Sequence, residues 1–251
     1  MPFPSPRRPS RALAGPLALA AMLVSATVSD TAAAGDMAGE CPAGARTFNP
    51  EALYGDSLAF DVYRNGDRVG EHTVSFSTES DTLVARTRFS LAIRMLYITV
   101  YRFEYEAVDR WRDGCLVAMK ADINEDGDEW AVTAKQAGNR LVINGPKGTV
   151  ETPLGIYPTN HYDAGVLGSD QVLNTITGAI NSVRIVEQGT EMVPVGAGER
   201  SARHYAYTGQ LQNHVWYDSE GRWVAMRFTG KDGSTIDLRC RSCSTPAAAE
   251  R

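Results

Sequence analysis

The chain has 251 residues, which is the length of one ordinary domain or of two small ones. With 43% hydrophobic and 22% charged residues, its composition excludes a disordered chain and a multi-span membrane protein. A net charge of −5, without long runs of Lys or Arg, argues against a nucleic-acid-binding protein.

Residues 1–34 have the composition of a signal peptide. Three arginines precede an apolar stretch from Leu13 to Val28, and Ala32 and Ala34 then form an A-x-A cleavage pattern. The stretch is shorter than the roughly 20 residues that a spanning helix needs, so we expect no stable transmembrane segment after cleavage. The sequence therefore predicts a periplasmic or secreted protein.

The remainder of the chain divides into three parts by composition. Residues 35–50 are rich in Gly, Ala and Pro and are predicted to be a leader, and residues 244–251 are predicted to be a loose tail. No change in composition interrupts residues 51–243, which we expect to form one antiparallel β domain.

The pattern from Ser57 onward has period two, which is typical of strands. Leu58, Phe60 and Val62 alternate with more polar residues, and Asn65-Gly66 follows as a strong hairpin signal. Similar turn signals recur at a spacing typical of a meander, at Asp113-Gly114, Asp126-Gly127, Asn144-Gly145, Glu220-Gly221 and Asp232-Gly233.

These signals predict an all-β fold. Helical periodicity is nearly absent, apart from one short helix expected around His161–Leu167, and the absence of alternating strands and helices excludes a doubly wound fold. We expect a single antiparallel meander of about ten to twelve strands, curved into a barrel or half-barrel.

The stretch from Leu91 to Trp111 carries the clearest functional signal. From Met95 to Val100 both faces are apolar, which predicts either a fully buried strand or a loop that dips into the mouth of a barrel. Beyond this segment one face is aromatic and the other is charged. Aromatic side chains offer much apolar area, so we expect a ligand on the concave face to contact Tyr97, Tyr101, Phe103, Tyr105 and Trp111.

The segment from Tyr157 to Asp163 interrupts the strand pattern. One interpretation is a structural crossover in which Thr159 or Asn160 caps the short helix. The other is a binding loop, because loops on rigid sheets often carry binding groups. In that case His161 and Asp163 belong to the site, and His161 or Arg102 meets the head group of a ligand.

Four cysteines, an even number, indicate disulfide bonds in an oxidising compartment. We favour a bridge that ties the last strand, at Cys240 or Cys243, to Cys41. A local bridge between Cys240 and Cys243 is the alternative, and Cys115 is then either free or paired with the remaining cysteine.

No residue pattern predicts a catalytic centre, a metal site or a cofactor. Asp122–Gly127 matches the first half of a calcium-binding loop, but Thr133 stands where the loop needs a bidentate Glu, so a hairpin turn is the preferred interpretation.

Five blocks of the sequence together resemble one family: Phe60–His72 (FDVYRNGDRVGEH), Tyr97–Gly114 (YITVYRFEYEAVDRWRDG), Tyr157–Leu167 (YPTNHYDAGVL), Leu173–Ile180 (LNTITGAI) and Tyr207–Leu238. The family is the exported proteobacterial proteins of the domain-of-unknown-function family DUF6134. More distantly, the chain is similar to half-barrel lipoprotein carriers that hold acyl chains in a curved sheet. The resemblance implies export and a β fold, and it implies no activity.

The sequence as a whole predicts an exported envelope protein of unknown role that binds an apolar or amphipathic ligand in the concave face of its sheet. The expected partner is a lipid or another amphipathic small molecule, and not a nucleic acid. Two alternatives stay open: a hydrolase-like envelope enzyme that uses the loop of His161 and Asp163, and a structural partner in an assembly.

Overall fold

The computed structural model describes residues 41 and 48–243. The predicted signal peptide at 1–34, most of the leader at 35–50 and the tail at 244–251 lie outside the described residues. The described part contains a five-residue helix, a 3₁₀ helix at Ala164–Gly168 and fifteen strands. In chain order these are α1 (Pro50–Tyr54), β1 (Ser57–Arg64), β2 (Asp67–Glu79), β3 (Thr82–Met95), β4 (Ile98–Arg112), β5 (Cys115–Glu125), β6 (Asp128–Ala137), β7 (Arg140–Gly145), β8 (Gly148–Pro153), β9 (Tyr157–Pro158), β10 (Gln171–Leu173), β11 (Ile180–Val195), β12 (Gly198–Gly209), β13 (Asn213–Asp218), β14 (Trp223–Thr229) and β15 (Thr235–Ser242).

All fifteen strands belong to one sheet, which confirms the predicted all-β fold. Strands β1 to β8 are consecutive neighbours, β15 pairs with the free side of β1, and β14 to β9 follow in reverse order. The sheet is mixed rather than purely antiparallel, because β9 pairs with β10 in parallel and the end of β11 meets β15 in parallel at Val195 and Cys240. The strand number exceeds the predicted ten to twelve, in part because β9 and β10 have only two and three residues.

The first hairpin forms as its sequence predicts. Leu58, Phe60 and Val62 are fully buried on the inner face of β1. Asn65 and Gly66 then make the turn with φ values of 49° and 98°, the left-handed region that this dipeptide favours. The dipeptide Asn144-Gly145 is an exception, because it ends β7 and the turn lies on the two residues that follow.

The predicted short helix is a 3₁₀ helix that begins three residues later than expected, at Ala164. Its cap is Asp163, whose Oδ1 accepts a hydrogen bond from the backbone N–H of Gly165 at 2.8 Å. The expectation that Thr159 or Asn160 caps this helix is therefore wrong.

The sheet curls until strands far apart in the sheet order meet. The Nζ atom of Lys231, after β14, lies 2.6 and 2.7 Å from the two carboxylate oxygens of Glu125, at the end of β5. The indole N–H of Trp130 on β6 donates to the carbonyl of Ile176, in the loop before β11, at 2.8 Å.

Among the described residues, no helix is both long and apolar enough to cross a bilayer.

The disulfide bonds differ from the favoured pairing. Cys41 is bonded to Cys115, and Cys240 is bonded to Cys243, each pair with a Cα–Cα distance of 5.9 Å. The predicted bridge from the last strand to Cys41 is wrong because the chain turns after β15 and brings Cys243 back to Cys240. The alternative local bridge is present, and Cys115 is not free.

The apolar segment between β3 and β4 is neither a buried strand nor a loop inside a barrel. It forms the tip of a long hairpin, where Leu96 is 95% exposed and Tyr97 fully exposed. Ile98 and Val100 on β4 are also exposed. The period-two pattern could not reveal this, because a hairpin tip beyond the edge of the core exposes both faces.

Candidate ligand cavity

The inner face of β4 lines a cavity between the two halves of the curled sheet. Tyr101, Phe103 and Tyr105 occupy alternate positions of this strand, so their side chains share one face. On β3, Leu91 pairs with Phe103 and Ile93 pairs with Tyr101, which extends the same apolar surface across two strands. The cavity has a volume of about 960 Å³.

The cavity has apolar walls and two different ends. The walls are formed by Phe89, Leu91, Ile93, Phe103, Met226 and Phe228. At one end Arg94 and Lys231 are exposed and mark the opening to solvent, which we call the mouth. The opposite end, which we call the floor, is formed by His72, Asn160, His161, Asn213 and the buried indole of Trp223.

The mouth carries charges of both signs that largely neutralise one another. Arg64 is 2.6 Å from Asp232, and Lys231 binds Glu125. Tyr101 donates a hydrogen bond to the same Glu125 carboxylate at 2.9 Å. Hydrogen bonds from Lys231 and Tyr101 keep the pKa of the Glu125 carboxyl below its usual value.

The backbone at the floor is fixed by two tyrosine hydroxyls. Tyr217 donates to the carbonyl of His161 at 2.8 Å, and Tyr54 donates to the carbonyl of Tyr162 at 2.9 Å. His161 itself has a φ of 59°, a left-handed conformation that is uncommon for a residue with a side chain. Such conformations persist only where surrounding contacts impose them, and they are frequent at binding sites.

The two histidines of the floor are neutral near pH 7. Burial lowers the pKa of His72 to about 3, and the neighbouring His161 adds to this effect. Burial also lowers the pKa of His161 to about 4. Among the described residues, both nitrogens of His72, Nδ1 of His161 and Oδ1 of Asn213 have no hydrogen-bond partner.

A buried carboxyl group supports the floor from behind. Oδ2 of Asp109 accepts hydrogen bonds from Asn160 Nδ2 and from the Tyr162 hydroxyl, each at 2.6 Å. The indole of Trp111 donates to the Tyr162 hydroxyl, and Tyr105 donates to Asn160 Oδ1. Burial raises the pKa of Asp109 to about 6, although the two hydrogen bonds act in the opposite direction.

Four of the eight predicted ligand-binding residues line the cavity: Tyr101, Phe103, Tyr105 and His161. The other four lie elsewhere. Tyr97 is at the exposed hairpin tip, and Arg102 is on the outer face of β4, with its nearest carboxylate on Glu104 at 3.9 Å. Trp111 is buried in the Asp109 network, and Asp163 caps the 3₁₀ helix.

The side chains of His161 and Asp163, from the loop that the enzyme alternative uses, have different described contacts. The described contacts of the His161 ring are with Asn213, Tyr207 and Trp223. The Asp163 carboxylate caps the helix instead. Three residues of this loop, Thr159, Asn160 and His161, line the cavity.

Sequence reasoning missed the part of the cavity that comes from other strands. His72, Val74 and Phe76 occupy alternate positions of β2, so the period-two pattern could have placed His72 on the inner face. Asn213 and Trp223 face the same space only because β13 and β14 curl back over β2 to β4, and no local pattern encodes that approach.

A second cleft of about 850 Å³ lies along strands β2 to β6. Charged side chains dominate its lining, and several of them pair with each other, such as Arg88 with Glu106 and Lys120 with Asp122. Because it lacks a continuous apolar wall, this cleft is a weaker candidate for a ligand site.

Comparison with known proteins supports the fold. A crystal structure described as a β-barrel-like protein of the domain of unknown function DUF1849 from Brucella abortus matches with a TM-score of 0.54 at 13% identity. The match covers 76% of this chain and 98% of that chain, and at this identity it shows the fold alone. No curated protein matches the sequence. The family model of the domain of unknown function DUF6134 matches residues 60–241. The chain therefore belongs to the DUF6134 family, as its sequence blocks indicate.

Proposed function

We propose that the protein is a non-catalytic envelope protein that binds an amphipathic or apolar small molecule with the apolar part inside the cavity. The observation that carries this proposal is the apolar-walled space of about 960 Å³, which the protein's own side chains leave open. Ligand cavities in proteins have volumes of about 300–1,000 Å³ and predominantly apolar linings with a few polar groups. The cavity matches this description in size and in chemistry.

The walls are sufficient for useful affinity. Burial of a chain of about 12 carbons at ~0.8 kcal/mol per methylene gives roughly 10 kcal/mol. Association costs at least about 4 kcal/mol, so at most roughly 6 kcal/mol remains, which sets a limit of tens of micromolar on the Kd for such a chain without contributions from its head group. Each additional methylene should tighten binding about fourfold until the chain fills the cavity.

Export to an oxidising compartment is part of the proposal. Support comes from the predicted signal peptide and from the two disulfide bonds, Cys41–Cys115 and Cys240–Cys243, which are typical of secreted and periplasmic proteins.

Native mass spectrometry tests the proposal on protein purified from its own envelope. We expect a bound mass that disappears after organic extraction, and we expect the extracted protein to bind an apolar fluorescent probe such as diphenylhexatriene. The proposal would be contradicted if the purified protein carries no bound mass and does not bind the probe.

A matched pair of variants locates the binding site. Ile93→Trp adds an indole to the cavity wall and should weaken binding of the probe at least tenfold, because it occupies the space that the ligand needs. Ala92→Trp adds the same group to the adjacent position of β3, which faces the other side of the sheet. This control should bind within about twofold of the wild type, and equal losses in both variants would place the probe elsewhere.

A further inference from the structure

We propose that the floor of the cavity is a binding site for an uncharged head group that both donates and accepts hydrogen bonds, so that the ligand enters head first. A hydroxyl group and a protonated carboxyl group have this chemistry. The proposal rests on the proposed function, because it assigns the orientation and the head-group class of the ligand in the same cavity.

Three separate elements bring polar side chains together at the floor. His72 comes from β2, His161 from the loop after β9, and Asn213 from the start of β13. The rings of His72 and His161 lie 5.3 and 5.8 Å from the ring of Trp223, and His161 Nε2 is 3.4 Å from Asn213 Nδ2. Each of the three polar residues is less than 7% exposed.

The unpartnered atoms of this cluster define what the head group must offer. A neutral imidazole has one donor and one acceptor, so His72 presents one of each. His161 accepts from Asn213 at Nε2 and therefore carries its proton on the unpartnered Nδ1, whereas Asn213 presents an unpartnered Oδ1 acceptor. A methyl end at the floor would leave these buried groups unsatisfied, which is unfavourable.

The charges around the cavity select against an anionic head group at the floor. The cations that line the cavity, Arg64, Arg94 and Lys231, belong to the mouth. The phenol of Tyr207, 5.5 Å from His161, is neutral, and the nearby Asn160 amide lines the cavity and holds the Asp109 carboxyl behind it. Burial of a phosphate against neutral imidazoles and a nearby carboxyl group is therefore unfavourable, and a carboxylate must bind together with a proton.

Head-group chemistry can be tested by titration calorimetry with ligands of one chain length. Dodecanol should bind the wild-type protein at least tenfold more tightly than dodecyl phosphate. Dodecanoic acid should bind at least tenfold more tightly at pH 5 than at pH 8, whereas dodecanol binding should change much less, because only the acid must take up a proton. Equal binding of dodecanol and dodecyl phosphate would overturn the proposal.

Two variants separate the floor from the walls. His72→Phe keeps the ring size among aromatic neighbours and removes both unpartnered nitrogens, so it should weaken dodecanol binding about tenfold and change binding of diphenylhexatriene, which has no polar head group, at least threefold less than that. Phe228→Leu trims an apolar wall and should weaken both ligands alike.

The outcomes distinguish the two proposals. If His72→Phe binds dodecanol as the wild type does, the floor does not hold the head group. If the wild-type protein binds neither dodecanol nor diphenylhexatriene, the proposed function itself fails. The comparison of alcohol, acid and phosphate uses only the wild-type protein, so the inference stays testable even if His72→Phe does not fold.

Discussion

Asp109 shows how one buried group can position a site without contacting a ligand. Its carboxyl group holds Asn160 and Tyr162, which flank His161 in the chain. Since this group is fully buried, its protonated form is favoured, and its pKa is raised to about 6. The protonation state of the support behind the floor therefore changes close to physiological pH.

The buried titratable groups affect the pH dependence of stability in opposite directions. The native state releases the proton of Asp109 at a higher pH than the unfolded chain does, so this group's contribution to stability is largest below about pH 4 and is lost as the pH rises through about 6. The pKa values of His72 and His161 are lowered, so their contributions are present above about pH 6.5 and are lost as the pH falls towards 4.

Comparison of the wild type with Asp109→Asn separates the effect of this carboxyl group on the pH dependence of stability from the effect of the two histidines. We expect the free energy of unfolding of the wild type, relative to that of the variant, to fall by roughly 1–1.5 kcal/mol between pH 5 and pH 8. Urea unfolding at several pH values measures this difference, and carbon NMR of the Asp109 carboxyl group should show a midpoint near 6. A difference that grows with pH would mean that the pKa is lowered in the folded protein.

At the residue scale, the sequence predicts the face of a strand on which a side chain lies better than it predicts whether that side chain lines the cavity or is packed in the core. Tyr101, Phe103 and Tyr105 were predicted on one face by their spacing, and all three line the cavity. Trp111 lies on the same face of β4 as these three residues, but at a position where other side chains fill the interior. Arg102 has the opposite parity, and its place on the outer face follows from the same alternation that makes its neighbours ligand candidates.

At the scale of one element, the hairpin of β3 and β4 contains both the cavity wall and the exposed apolar tip. The pairing of these strands continues from Leu83 and Trp111 to Met95 and Ile98, beyond the last residues that the core covers. The burial of an apolar residue here depends on its distance along the hairpin, which the local sequence does not encode. The same reasoning explains why Leu91 is buried and Leu96 is not.

Substitution of the tip should therefore have little effect on stability. The triple variant Leu96→Ser, Tyr97→Ser and Ile98→Ser should change the free energy of unfolding by less than about 1 kcal/mol, because these side chains are exposed. The matched control is Leu91→Ser, because Leu91 belongs to the same hairpin but lies in the cavity wall. This substitution should lower the free energy of unfolding by roughly 2–4 kcal/mol. Urea unfolding measures both, and a large loss in the triple variant would show that the tip is covered in solution.

At the scale of the whole described chain, the strand content was predictable and the closure was not. Period-two patterns and turn dipeptides act over a few residues, so they indicated strands and many of the turns. The contacts that close the sheet, such as Lys231 with Glu125, join residues more than 100 positions apart. The bond between Cys41 and Cys115 depends on the same long-range geometry, so the sequence pattern did not indicate it.

The two disulfide bonds should differ in their contributions to stability. Cys41–Cys115 closes a loop with a sequence separation of 74, whereas Cys240–Cys243 has a separation of 3. If the bonds act mainly by restricting the unfolded chain, loss of the first should lower the free energy of unfolding by about 4 kcal/mol. Loss of the second should lower it by less than about 2 kcal/mol. Urea unfolding of the double variants Cys41→Ala/Cys115→Ala and Cys240→Ala/Cys243→Ala tests this order.

The reverse order would point to an effect in the folded state. Cys240 pairs with both β1 and β11, at the place where the sheet closes on itself, and Cys243 packs beside the carbonyl of Ala59. If the short-loop variant loses more stability than the long-loop variant, its bond must stabilise this junction directly. Ligand binding would separate the two cases further, because a loosened junction between β15 and β11 should weaken probe binding in the cavity, whereas loss of loop restriction alone should leave binding by the folded protein unchanged.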